Sequence, residues 1–166
     1  YETIIPHRDF TIKTRSRPPL GTGNRHFTGL SHDDSMPQTS DVDNYRRLIT
    51  HFREKQQLTA QRYNSYEYLE CSKETDTLLI SYGALSRIAY YFKNDFALYR
   101  PIRMFPIVEE IKIIASRYKR ILIVEMNMGQ YAREIERILH REVEFIPILG
   151  GRIDLKEIKQ KIYGQK

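Results

Sequence analysis

The chain has 166 residues, is 40% hydrophobic, and carries 27 Lys and Arg against 21 Asp and Glu, for a net charge of +6. That suffices for one domain with a buried core plus an arm. The lone Cys71 excludes an internal disulfide, a cysteine-based zinc site or an iron–sulfur cluster held by this chain alone.

No apolar stretch approaches the roughly 20 residues of a membrane span, and the N-terminus does not read as a signal peptide, so a reducing cytoplasm is the expected setting and no membrane partner is. The chain begins at Tyr1 rather than Met, as expected of a piece of something longer or of a trimmed terminus. The basic excess allows an acidic partner without requiring one; a solvated basic surface is the plainer reading.

Residues 1–40 show no sustained periodicity and are rich in Pro, Gly, Thr, Ser and charge, so they read as an extended arm or linker. Its dispersed apolar residues, among them Ile4, Phe10, Leu20 and Phe27, favour an arm laid across a surface. Residues 41–65 read as a connecting helix, capped by Ser40 or Asp41, with Tyr45, Leu48, Ile49 and Phe52 on one face. Residues 66–166 form the domain proper. Tyr66–Leu69 reads as a short edge strand. Thr77–Ser81 is a buried strand, followed after Gly83 by a helix with Leu85, Ile88, Ala89 and Phe92 inward. Phe96–Tyr99 is the next strand. Pro106 is expected to open a helix, where a missing N–H costs nothing, with Ile107, Ile111, Ile114, Ala115 and Tyr118 buried. Ile121–Val124 is a strand, followed by a helix burying Tyr131, Ile135, Ile138 and Leu139. Val143–Ile148 is another strand. Asp154 and Glu157 have capping-box spacing for a last helix with Leu155, Ile158 and Ile162 inward. Strand followed by helix, four times over, with continuous apolar strands, implies an α/β fold: a parallel sheet covered on both faces.

In such a sheet, ligands and partners gather where the strands end at their carboxyl side. Four segments belong there: Ser81–Ala84, Arg100–Arg103, Glu125–Gln130 and Pro147–Arg152. Their chemistry-bearing residues make Tyr82, Gly83, Arg100, Arg103, Glu125, Asn127 and Gln130 the candidate ligand or interface residues. On the plainer reading, Asn127 and Gly129 shape a turn through left-handed backbone, and Glu125 pairs with Arg100 or Arg103. On the functional reading this edge meets a cofactor, an anion or another subunit, and Met126 and Met128 suit an adaptable protein contact. Other features are weaker. Gly83-Ala84-Leu85-Ser86 lacks the second and third glycines of a dinucleotide fingerprint. His26, His32, Asp33 and Asp34 crowd one loop, but a turn or surface contact outweighs a metal site there. Tyr90-Tyr91-Phe92 reads as helix packing rather than a stacking platform for bases. Arg8, Lys13, Arg15, Arg17 and Arg25 make the arm basic and motivate a nucleic-acid-binding α/β module as the alternative function.

Four stretches carry a resemblance. Phe27-Thr28-Gly29-Leu30-Ser31-His32-Asp33, Leu79-Ile80-Ser81-Tyr82-Gly83, Leu98–Pro106 and Val124-Glu125-Met126-Asn127-Met128-Gly129-Gln130 resemble, in order and spacing, the C-terminal part of the alpha subunit of 2-oxoacid:ferredoxin oxidoreductases, most closely the 2-oxoglutarate type. The likeness covers roughly residues 20–166. Three positions depart from the family pattern: Ser31 stands where Glu is usual, Ala84 where a hydroxyl is common, and Tyr99 lengthens the "LRP" run. The resemblance implies a three-layer α/β/α sandwich like the transketolase C-terminal domain, with a mostly parallel five-stranded sheet and Tyr66–Leu69 as its antiparallel edge. It also implies that the complete enzyme decarboxylates a 2-oxoacid on thiamine diphosphate with magnesium, passes electrons through an iron–sulfur cluster to ferredoxin, and releases an acyl-CoA. The cofactor and substrate motifs of that family are not found here. This chain would then be catalytically silent and bind no cofactor itself, acting as scaffold and interface toward the beta subunit and the other alpha-subunit domains. Nucleic acid would not be its partner.

Overall fold

The computed structural model describes residues 29–32, 40–62 and 65–164. Most of the expected arm, including His26, Asp33, Asp34 and its basic residues, lies outside the described residues. The chain divides into two compact units, Tyr1–Arg53 and Glu54–Lys166.

In the first unit, helix α1 (Val42–Arg62, continuing past the division) begins where the Asn44 N–H donates to Asp41 Oδ1 at 2.9 Å, so Asp41 is the cap. Tyr45, Ile49 and Phe52 share a face as expected, but all three are exposed. His32, half-buried, bonds the Leu30 carbonyl through Nδ1 at 3.1 Å. Among the described residues, no group of three His, Cys, Asp or Glu could hold a metal ion.

The second unit is built on five strands: β1 (Tyr66–Leu69), β2 (Thr77–Ser81), β3 (Ala97–Pro101), β4 (Arg120–Glu125) and β5 (Glu144–Pro147). They lie in the order β1-β3-β2-β4-β5. β1 runs antiparallel to β3, and every other pairing is parallel. The helices are α2 (Leu85–Ala89, extended by a 3-10 turn at Tyr90–Phe92), α3 (Glu110–Ala115), α4 (Gln130–Leu139) and α5 (Leu155–Gly164).

Side chains alternate across a strand, so a strand apolar at every position needs cover on both faces. Leu78, Ile80, Ile121 and Ile123 point to one face and meet Ile111, Ile114 and Ala115 of α3 and Tyr131, Ala132 and Ile135 of α4. Leu79, Leu122 and Val124 point to the other and meet Leu85 and Ala89 of α2, Phe92, and Ile158 and Ile162 of α5. The result is a three-layer α/β/α unit. The helix leaving β2 therefore goes to one face and the helix leaving β4 to the other, although β2 and β4 are neighbours. Between these two strand ends lies the topological switch point of the sheet.

Three expectations need correction. The helix after β3 starts at Glu110, not Pro106. The Pro106 carbonyl instead accepts from Arg103 Nη1 at 2.7 Å, which holds this stretch as a loop, and Val108 is buried there while Ile107 is only half-buried. Of Tyr90-Tyr91-Phe92, only Phe92 packs inward; Tyr90 carries the Lys93 ammonium over its ring at 4.5 Å. In α5, Asp154 caps by accepting from the Lys156 N–H at 2.8 Å, but Glu157 pairs with Lys161 at 2.7 Å rather than reaching back.

Neighbouring strands β4 and β5 also share an ion pair at their N-terminal ends, where Arg120 Nε donates to Glu144 Oε1 at 2.7 Å and a second guanidinium N–H meets Oε2. The guanidinium holds the Glu144 carboxyl below the usual carboxylate range, and the carboxylate raises Arg120 in turn. A depressed carboxyl stabilises the fold fully above the unfolded value of about 4.3 and loses that contribution as pH falls through the lower folded value. The pair is partly exposed and screened, so its worth is under about 1 kcal/mol. Glu144→Gln should therefore lower stability slightly at pH 7, and the gap to the native chain should close as the pH drops below about 4. Urea denaturation at a series of pH values reads this directly; a gap that persists in acid would show that the charge is not its source.

Candidate functional site

Glu125 is the last residue of β4, and it is 1% exposed. A buried carboxylate has only acceptor sites to offer and must find donors without water. Four are at hand. Oε2 accepts from the Tyr82 hydroxyl at 2.7 Å, from Asn127 Nδ2 at 2.9 Å and from the Tyr131 N–H at 3.2 Å. Oε1 accepts from the Ala132 N–H at 3.1 Å. Tyr131 and Ala132 lie in the first turn of α4, whose amides have no partner within the helix and whose dipole favours negative charge. The strand thus caps its own following helix through its last side chain.

Asn127 completes the arrangement. Its Nδ2 also donates to the Tyr82 hydroxyl oxygen at 2.8 Å, while its Oδ1 accepts from the N–H groups of Gly129 at 2.8 Å and Gln130 at 3.1 Å. All of its amide valences are used. It shapes the turn with its side chain rather than with left-handed backbone; among the described residues, His140 is the only non-glycine with positive φ. Gly129 does take that conformation, at φ 89°, and a Cβ there would press to 3.4 Å of the Phe145 ring. Gln130 Oε1 accepts from the Met128 N–H at 3.1 Å. Tyr82 stacks edge-on against Tyr131, with ring centroids 5.3 Å apart. Burial first, and the bond to Glu125 second, push the Tyr82 hydroxyl up to about 12, so it stays a donor across the physiological range.

The structure therefore brings Tyr82, Glu125, Asn127 and Gln130 together, with Gly83 beside them at φ 58°. It does not bring Arg100 or Arg103. Arg100 pairs with Glu67 at 3.0 Å, directly opposite it on β1, and Arg103 holds the Pro106 and Ala60 carbonyls. The expected pairing of Glu125 with either arginine is overturned: a hydroxyl, an amide and two backbone N–H groups satisfy the carboxylate instead. Ser81, also at the end of β2, is buried and faces the opposite side, against Leu85, Phe92 and Ile158. Tyr131 and Ala132 were not candidates, because their contribution comes from backbone N–H groups; the one signal in the sequence is an acidic residue six and seven positions before them, across a short turn.

Tyr82 leaves β2 and Glu125 leaves β4, so their hydrogen bond spans the switch point of the sheet. The place where open parallel sheets hold ligands is here crossed by a network whose polar groups are consumed by one another. The exit of β5 adjoins it through the Ile148 N–H, which donates to the Glu125 carbonyl at 3.0 Å.

Comparisons with known proteins decide the kinship. No family model matches the chain. The 2-oxoglutarate synthase subunit KorA of Methanothermobacter marburgensis is 32% identical over an alignment covering 98% of this chain and 47% of that protein. The chain belongs to the KorA family. Its relatives include the subunit of the same name from Methanothermobacter thermautotrophicus, 33% identical over 84% of this chain and 40% of that protein. Among solved structures, a 2-oxoglutarate:ferredoxin oxidoreductase from Magnetococcus marinus, with 2-oxoglutarate, coenzyme A and succinyl-CoA bound, matches with a TM-score of 0.66 at 19% identity, over 87% of this chain and 27% of that chain. That likeness establishes the α/β fold. The chain spans less than half the length of the family members it matches.

Glu125→Gln keeps the size of the side chain but turns one acceptor into a donor, facing at least one N–H or O–H. We expect a loss of about 2–3 kcal/mol with an unchanged denaturant slope. Tyr82→Phe should cost less, about 1–2 kcal/mol, and the two losses should not add, because both variants break the same bond. Equilibrium urea denaturation of the two variants and their double form tests this, and simple additivity would dissolve the network into separate contacts.

Proposed function

We propose that this chain is the C-terminal, non-catalytic portion of a KorA-type subunit of a 2-oxoglutarate:ferredoxin oxidoreductase, serving the enzyme as scaffold and subunit interface. Thiamine diphosphate, magnesium, an iron–sulfur cluster and coenzyme A belong to the complete complex, and ferredoxin meets the complex rather than this chain. The partners of this chain are the beta subunit and the remaining domains of its own subunit, in the cytoplasm. No helix among the described residues is long and apolar enough to cross a membrane, which suits that placement.

The observation that carries this reading is the self-sufficiency of the site. A general acid or base needs a proton-transfer site open to substrate. Glu125, the one carboxylate at the switch point among the described residues, has both oxygens committed to donors of the same chain, two of them backbone amides. The hydroxyl and amide beside it are committed to it in turn. Such a network fixes a surface without offering a reactive group. The nucleic-acid alternative finds no support among the relatives, four of which carry the name 2-oxoglutarate synthase subunit KorA.

The purified chain should fold cooperatively, and should neither bind thiamine diphosphate in a calorimetric titration nor reduce a viologen in the presence of 2-oxoglutarate and coenzyme A. The same assay on the complex assembled from full-length subunits should show turnover. Turnover by the isolated chain would overturn the scaffold reading, and an inactive assembled complex would overturn the choice of reaction.

A further inference from the structure

Helix α1 is 21 residues long, and Asn44 is its one buried residue. In folded proteins a helix draws most of its stability from packing an apolar face against a neighbour. The apolar face of α1 is open to solvent. Val42, Tyr45, Ile49 and Phe52 follow one another at steps of three, four and three, the spacing that lines side chains up along one side of a helix. They are 59%, 54%, 46% and 44% exposed. The stripe lies wholly within the first compact unit. At 3.6 residues per turn, Asn44 sits roughly a third of a turn round from its centre. The contact that buries the start of the helix is therefore made on another side, and leaves the stripe bare.

Among the described residues, no other helix presents such a stripe. α3 leaves only Ile113 outside, and α5 leaves Tyr163, whose hydroxyl bonds Asp95 at 2.6 Å. The apolar residues of α2 and α4 pack onto the sheet. Size then narrows the occupant. Half-exposed side chains of this kind offer on the order of 100 Å² each. Together they supply about half of the roughly 800 Å² per partner that a stable interface between separate proteins buries. A second copy or another subunit would have to meet the cost of lost translational and rotational freedom from too small a contact. A segment of the same polypeptide is already tethered and does not meet that cost. Such polypeptide exists in the family: more than half the length of each of the four KorA relatives lies beyond the part that this chain matches. From this we infer that Val42, Tyr45, Ile49 and Phe52 form the seat for the portion of the same subunit that lies outside this chain, which lays apolar side chains along the stripe. The inference rests on the reading of this chain as part of a KorA-type subunit, and it names the surface through which the chain joins the rest.

The test uses the full-length subunit with benzoylphenylalanine, a photoreactive analogue of phenylalanine, in place of Tyr45 or Phe52. Irradiation should give a crosslinked species of monomer mass, and its digestion should join these positions to the portion of the subunit outside this chain. Ile49→Asp should lower the melting temperature of the full-length subunit by at least about 3 °C, through the lost apolar contact, and should speed amide exchange over residues 42–52. Arg47→Asp, on the opposite side of α1, should leave both unchanged. A crosslink to residues 1–40, one of dimer mass, or one formed only when the neighbouring subunit is added would each give the stripe a different occupant and overturn the inference. So would the absence of any crosslink from both positions. An assembled complex inactive toward 2-oxoglutarate, beside the expected crosslink, would overturn the choice of reaction and uphold the inference. A native subunit no longer than this chain would overturn the reading and the inference together.

Discussion

A carboxylate taken out of water has to be given back the hydrogen bonds it loses, and the way Glu125 recovers them organises this end of the molecule. Transfer of an ionised group into a poorly polarisable interior costs several kcal/mol unless its acceptors are filled. Two of the donors come from the first turn of α4, so the strand cannot end elsewhere without uncapping its own helix. A third comes from Tyr82 at the end of β2, which joins the exits of the two central strands. The fourth comes from Asn127, whose oxygen then closes the turn on Gly129 and Gln130. Strand pairing, helix start and turn shape become one cooperative arrangement, in which removing any member leaves another buried polar group unpaired.

That arrangement occupies the switch point of a doubly covered sheet. Brought there by topology, polar groups in other proteins of this architecture meet a ligand; in this chain they meet each other. The consequence is a division between inner and outer layers of the same edge. Tyr82, Glu125 and Asn127 face inward and are consumed, while Met126, Met128 and Leu149 face outward and are not.

Much of this was legible in the residues, and the exceptions share a cause. Strands β2 and β4 announce themselves by the unbroken apolar runs Leu78–Ile80 and Ile121–Val124, which a sheet covered on both faces satisfies, and both sets of helices show inward stripes. Tyr66–Leu69 forms the antiparallel edge that the family resemblance implies. The partner of Glu125 was misread because opposite charge is the obvious complement in a sequence, whereas backbone N–H groups are present at every residue and mark none. Arg100 found its carboxylate directly across the β1–β3 ladder, a pairing fixed by register rather than by proximity in the chain. Pro106 has the right chemistry to start a helix, but the Arg103 guanidinium takes its carbonyl, and the helix waits until Glu110.

Two of the three departures from the family pattern, Tyr99 and Ala84, lie outside the Glu125 network. Tyr99 lies within β3, not in the loop that follows, so the longer "LRP" run extends a core strand. Its ring is buried and stacks on Tyr66 of β1, with centroids 5.2 Å apart and planes at 22°, which couples the edge strand to the interior through aromatic contact as well as backbone bonds. Ala84, where a hydroxyl is common, stands at the exposed start of α2 and contributes no side-chain cap there; the Ser86 hydroxyl donates back to the Gly83 carbonyl at 2.7 Å. The Tyr99 change is absorbed by packing at the sheet edge, and neither change touches a bond of the Glu125 network.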